Sequence, residues 1–280
     1  MKAKAYAKIN LNLIIKNKIE DGKHYLESVF QKINLYDEIE IEENDLDKCV
    51  ISCNIKELEN DNLILKAYEM LKKSYKIKGL NVKLTKKIPM QAGLGGGSSD
   101  VATFILMVND YFNLKMTKRA LNRIGKELGS DVIPCYYDKP VHVSATGYLV
   151  SEIISNLDFN LVVIKPNLDC NTGLMYKKLD EIKDRKIPND SWTIAKALFD
   201  NDLDLLCKSL FNSFEDVVDC RKIKKDLIDS GALGALLSGS GSCVFGIYRN
   251  KKEAKRAFEL LKNKYEIYLC ESINKKDLEY

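Results

Sequence analysis

The chain has 280 residues, room for one large domain or two ordinary ones with a substantial core. Its 44 basic and 40 acidic residues are interspersed and leave a formal net charge of +4, which argues against a nucleic-acid or membrane partner and favours a small molecule. Eight cysteines, scattered apart from Cys49 and Cys53, with only His24 and His142 as histidines, exclude a zinc cluster by spacing and suit buried thiols in a reducing cytoplasm, and no apolar run approaches membrane-spanning length.

The N-terminus opens directly into "AYAKINLNLII", with no secretory leader pattern before it. Ala5, Ala7, Ile9, Leu11 and Leu13 alternate with Tyr6, Lys8, Asn10 and Asn12, which predicts a half-buried strand. Lysine is a poor strand former, so the polar face is either a solvated edge or a face kept for another purpose. "VFQKINLYDEIEIEE" predicts a second strand, and Asp61 or Asn62 caps a helix with Leu63, Ile64, Ala67, Leu71 and Tyr75 at helical spacing. "LNVKLTK" predicts a strand that runs straight into "PMQAGLGGGSSDVA". "DVATFILMVNDYF" is apolar nearly all round and predicts a deeply buried helix, and Thr117 caps a shorter one through Leu128. After a break at "GSDVIPC", "PVHVSA" is strand-like.

A second block begins near residues 150 to 158, giving expected domains 1–155 and 156–280. It contains a strand "LVVIK", helical stretches around 172–181, 191–210 and 221–230, a turn "SGSG", a strand "CVFGIY", a helix from Lys251 and a strand "YEIYLCES". That order predicts a small α+β domain.

The glycine stretch is the most informative segment. Gly93, Gly95, Gly96 and Gly97 can form a concave nest of N–H groups, and a helix N-terminus directly behind it adds unpaired amides and partial positive charge. Ser98 and Ser99 can cap that helix and offer hydroxyls to phosphate oxygens or a metal ion. Together these features suit a polyphosphate. The loop lacks the Gly-Lys-Ser/Thr ending of a Walker A motif, and Ser98 stands where a dinucleotide fingerprint needs its third glycine.

With "PMQAGLGGGSSD" in this setting, the chain resembles the GHMP kinase superfamily, and four ordered stretches carry the likeness. The others are "AKINLNL", "DGKHYLESVFQKINLYDEIEI" and "LLSGSGSCVFGIY", with "DNLILKA" and "GSDV" also in place. The resemblance implies an α+β, two-domain GHMP kinase fold: an N-terminal domain with a mixed sheet, a C-terminal ferredoxin-like domain and the active site in the cleft between them. It implies an ATP-dependent small-molecule kinase with Mg²⁺ bridging the phosphates. The expected acceptor is the 2-hydroxyl of a cytidine-diphosphate-linked methylerythritol of the non-mevalonate isoprenoid route, with homoserine, mevalonate or sugar kinases and a non-catalytic nucleotide-binding paralogue as alternatives.

Residue by residue, the family's catalytic pair falls on Lys8 and Asp131. ATP contacts fall on Pro89, Gly93, Leu94, Gly95, Gly96, Gly97, Ser98 and Ser99, with Asn62 and Lys86 near the base and ribose. Substrate contacts fall on Asn10, His24, Thr172, Tyr176, Ser238 and Gly239, His24 reading the cytosine edge and Tyr176 stacking on its ring. The chain departs from the family at Lys23, where an aromatic is usual, at Gln91, and at Ile133, where proline normally follows Asp-Val. None of these departures touches Lys8 or Asp131.

Overall fold

Alternating apolar residues over the first 44 positions build a hairpin of two long antiparallel strands, β1 (Lys2–Lys18) and β2 (His24–Asn44). The structure is a computed structural model and describes residues 1–19, 22–168, 170–185, 187–188 and 191–274; Asp21, which opens the "DGKH" segment, lies outside them. Next come β3 (Cys49–Cys53), α1 (Leu63–Ser74), β4 (Gly79–Thr85), α2 (Gly96–Tyr111), α3 (Lys118–Leu128), the single turn α4 (Val132–Cys135), β5 (Val141–Ser144) and β6 (Leu149–Glu152). The remainder is β7 (Asn160–Lys165), α5 (Thr172–Asp180), α6 (Trp192–Phe199), α7 (Leu203–Lys208), β8 (Phe211–Asn212), α8 (Arg221–Asp229), β9 (Gly234–Leu237), β10 (Val244–Tyr248), α9 (Lys251–Leu261) and β11 (Glu266–Glu271).

The strands form two sheets. The first runs β3-β4-β2-β1-β8 with β5 and β6 attached to β2, and it is mixed because β3–β4 and β1–β8 are parallel. The second runs β11-β7-β10-β9 and is antiparallel throughout, with α8 and α9 packed on it. This is the two-domain α+β architecture expected. Ala7, Ile9 and Leu11 of β1 share one core with Leu161, Val163, Phe245 and Ile247 of the second sheet, and the opposite side of the first sheet packs on α1, α2 and α3.

Three expectations change. β1 is not half-buried: every residue from Ala5 to Ile15 is interior, because the second sheet covers the apolar face while α2 and polar partners cover the other. The 191–210 stretch is two helices, interrupted where Asn201 takes a left-handed φ of 57° and Asp202 caps α7 by accepting from Leu205 N–H at 2.8 Å. Ser98 and Ser99 do not cap α2; Gly95 holds that position, and both serines lie inside the first turn. All eight cysteines are free thiols, seven of them buried.

Candidate active site

Two slips in the β1–β2 pairing shape the polar face. Tyr6 pairs with Tyr36 but Lys8 pairs with Lys32, so backbone groups at the slip turn toward the glycine loop. Lys8 N–H donates to the Leu94 carbonyl at 2.9 Å, and the Tyr6 carbonyl accepts from Ser99 Oγ at 2.7 Å. Farther on, Asn10 pairs with Phe30 and Asn12 with Val29, which leaves Leu11 as an extra residue of β1. There the Asn12 side chain stands in for the ladder, accepting from Val29 N–H at 2.7 Å.

The glycine loop closes against a turn from the second sheet. Gly93 adopts φ 75°, and a Cβ there would lie 1.9 Å from the Ser238 carbonyl oxygen. Ser238 Oγ donates to the Gly93 carbonyl at 3.0 Å, and Cys243 N–H donates to Ala92 at 3.1 Å. Gly95 adopts φ 68°, and a Cβ there would meet the Lys8 side chain at 2.9 Å. The first helical bond of this turn is Ser99 N–H to Gly95 carbonyl at 2.8 Å, so the amides of Gly96, Gly97 and Ser98 precede it and belong to the unpaired helix start. A Cβ on Gly97 would meet nothing within 4 Å, so protein packing does not require glycine there; its absence leaves open space over these amides.

Two cavities meet at this loop, and a third adjoins the larger of them. One of about 370 Å³ lies over Asn62, Lys86, Pro89 and residues 93–98. It shares Gly93, Gly95 and Ser98 with a central cavity of about 550 Å³ that contains Lys8, Asn10 and Asp131. A third, also about 550 Å³, holds His24 and Asp180 and shares Ser130, Gly173 and Tyr176 with the centre.

In the centre, the buried Lys8 ammonium lies 3.2 Å from Asp131 Oδ2, donates to Asn10 Oδ1 at 2.7 Å and stands 4.6 Å from the Phe30 ring centroid. Asp131 occupies the N-cap position of α4 but accepts no hydrogen bond from it, so its carboxylate, 32% exposed, is not a capping group. Thr172 Oγ1 meets Ser240 Oγ at 2.7 Å, joining α5 to the SGSG turn. In the third cavity His24 and Tyr176 stack on each other at 4.9 Å, Phe214 packs edge-on against Tyr176 at 5.0 Å, and His24 Nε2 is 2.6 Å from Asp180 Oδ1. Burial opposes ionisation of Asp180, but His24 and Lys18 hold its pKa below the usual carboxylate range. Burial pushes the Tyr176 phenol up to about 12, so it remains neutral.

Most residues singled out from the sequence line these cavities; two do not. Ser99 and Ser238 are interior, their hydroxyls donating to the Tyr6 and Gly93 carbonyls, so they brace the loop and turn and do not face a ligand. Asn62 and Lys86 reach the second cavity with their polar ends already engaged. Asn62 caps α1, accepting from Ile64 N–H at 3.0 Å and donating to Leu58 at 3.2 Å. Lys86 donates to Asp37 and, at 2.6 Å, to Asp100, beneath Gly96. Burial works against the Lys86 charge, but the two carboxylates more than offset it and raise its pKa. Burial, reinforced by Asp37, raises the Asp100 pKa against the pull of Lys86. Sequence reasoning missed Ser28, Phe30, Asp37, Asp100 and Asp180. Only Asp180 offered a local signal, one helical turn after Tyr176.

Among the described residues no group of three or more His, Cys, Asp or Glu could hold a metal ion, and no helix is long and apolar enough to cross a membrane. Comparison with known proteins adds direct likenesses. The family model for the GHMP kinases N terminal domain matches residues 62–139, and that for the GHMP kinases C terminal matches residues 194–267. A 4-diphosphocytidyl-2-C-methyl-D-erythritol kinase of Clostridium tetani (strain Massachusetts / E88) is 37% identical over 98% of this chain and 100% of its own length. The one of Clostridioides difficile (strain 630) is 33% identical over 98% and 96%. A crystal structure of 4-(cytidine 5'-diphospho)-2C-methyl-D-erythritol kinase matches with a TM-score of 0.83 at 25% identity, over 98% of this chain and 100% of that one. L. major mevalonate kinase in complex with R-mevalonate shares the fold, with a TM-score of 0.77 at 18% identity over 98% and 96%.

Proposed function

Because this chain belongs to the GHMP kinases, we infer that it transfers the terminal phosphoryl group of ATP to the 2-hydroxyl of 4-diphosphocytidyl-2-C-methyl-D-erythritol. The observation that carries this assignment to a mechanism is the 3.2 Å contact of Lys8 with Asp131, in a cavity walled by the glycine loop. The triphosphate lies along the amides of Gly96, Gly97 and Ser98, where hydrogen bonds and the helix dipole favour anions. The acceptor hydroxyl enters the central cavity, and the Asp131 carboxylate takes its proton as the new P–O bond forms. The Lys8 ammonium steadies that carboxylate and the charge on the moving phosphoryl group. Positioning and charge supply most of the rate in such a transfer, and both are built into a buried lysine held from three sides. The cytidine end occupies the third cavity, beside His24, Tyr176 and Asp180.

Mg²⁺ fits this donor set. It takes few protein oxygens and fills the rest of its shell with phosphate oxygens and water. Ser98, which lines both the loop cavity and the centre, would hold it through its hydroxyl. When bound, the ion neutralises charge on the phosphate oxygens. Eight free thiols suit the reducing cytoplasm, where ATP is also available.

A coupled ADP-release assay with this acceptor, homoserine, mevalonate and galactose tests the assignment. Turnover is expected with the cytidine-linked acceptor alone, and preference for another acceptor, or ATP binding without turnover on any, would overturn it. Asp131→Asn is expected to lower kcat by about 100-fold or more while the nucleotide Kd stays within about threefold, measured by titration calorimetry.

A further inference from the structure

Ser28 is fully buried on β2, paired with Leu13 just past the bulge at Leu11. A serine hydroxyl has one proton to give and two lone pairs. The Ser28 proton goes to the Asn12 carbonyl, so toward Asn10, 2.9 Å away, Ser28 Oγ can only accept. Asn10 must therefore turn its NH₂ toward Ser28, which places its carbonyl Oδ1 at 2.7 Å from the Lys8 ammonium, a group with three donors and no acceptor. The reversed amide would set NH₂ against the ammonium and Oδ1 against the Ser28 lone pairs. Because Asn10 and Ser28 are both interior, no bulk water replaces a lost partner. The chain of donors has one direction: Lys8 to Asn10, Asn10 to Ser28, Ser28 to Asn12.

We propose that Ser28 is a positioning residue for phosphoryl transfer, fixing the Lys8 ammonium against Asp131 through the orientation of Asn10, which rests on the roles given to Lys8 and Asp131 above. Neither composition nor periodicity marks this serine, because its role exists only where the bulge brings Asn12 and Asn10 to it from the neighbouring strand.

Steady-state kinetics on Ser28→Ala and Ser28→Thr test the proposal. In Ser28→Ala, kcat is expected to fall about tenfold or more with the KM for ATP within about threefold, while Ser28→Thr, which keeps the hydroxyl, stays within about threefold of the unaltered enzyme. A role confined to packing gives the opposite order, since the added methyl of threonine disturbs a closed site more than alanine does. A kcat for Ser28→Ala within about twofold of the parent, or Thr impaired as much as Ala, overturns the proposal. A crystal structure of Ser28→Ala supplies a readout independent of turnover: the Lys8–Asp131 contact should open beyond 3.2 Å, and an unchanged contact counts against Ser28. If the unaltered chain phosphorylates no acceptor, the kinase assignment falls by itself, and that structure alone decides the role of Ser28.

Discussion

Gly93 and Gly97 stand four residues apart in one loop but lack side chains for different reasons. At Gly93 the left-handed backbone and the Ser238 carbonyl forbid a Cβ, so Gly93→Ala must pull the loop and turn apart. The expected result is a melting temperature lower by several degrees together with weakened ATP binding, read by thermal unfolding and calorimetric titration. Gly97→Ala meets no protein atom, so its melting temperature should match the parent while the KM for ATP rises about tenfold, because the methyl enters the space over the amides proposed to hold the triphosphate. A Gly97→Ala enzyme with unchanged KM would place the triphosphate elsewhere. The sequence alone located the glycine run and its anion chemistry but could not separate these two roles, since one depends on a carbonyl of a residue far along the chain. Lys8 and Asp131 were legible through family motifs, with alternation contributing only the oddness of a lysine in a strand. The pairing of Asp180 with His24 stayed hidden because 156 positions separate them.

At the scale of elements, the sequence placed nearly every helix and long strand, because apolar periodicity and capping residues such as Asn62 and Thr117 are local signals. It missed β3, β6, β8 and β9, short segments held by neighbouring strands more than by their own pattern. The irregular pairing of β1 was invisible for the same reason, although it decides where Lys8 and Asn10 point. One junction between elements depends on pH. His142 on β5 lies 2.6 Å from Ser191 Oγ and stacks on Trp192 at 4.5 Å, while Ser191 donates to Glu27 on β2. Burial holds the His142 pKa below its ordinary value, against an upward pull from Glu27. A depressed folded-state pKa means that the neutral ring contributes stability above the unfolded value of about 6.5, which is lost as pH falls through the folded value. The melting temperature is therefore expected to drop on acidification from about pH 6.5 to about pH 5, and to drop less in His142→Gln. Equal slopes in parent and variant would show that this junction does not sense protons.

Across the whole molecule, the two sheets are visible in the sequence as two blocks, but their interlocking is not. Ile33 bridges to Ser272, Ile273 N–H donates to the Lys32 carbonyl at 2.9 Å, and Gln31 donates to the Ile273 carbonyl at 2.8 Å. β8 pairs with β1, while the side chain of its Asn212 donates to the Leu237 and Gly239 carbonyls at 2.7 and 2.8 Å. With these ties and a shared apolar core, heat should unfold the chain in a single calorimetric transition, and fragments 1–155 and 156–280 made separately should show no cooperative melting. Two resolved transitions would mean that the halves are autonomous. The clasp of Ser238 on Gly93 spans 145 positions, which bears on how the protein is born. A chain emerging from the ribosome leaves the loop proposed to hold ATP unclasped until Ser238 has followed it out, so the nucleotide cannot serve as a template for folding the segments made before that residue.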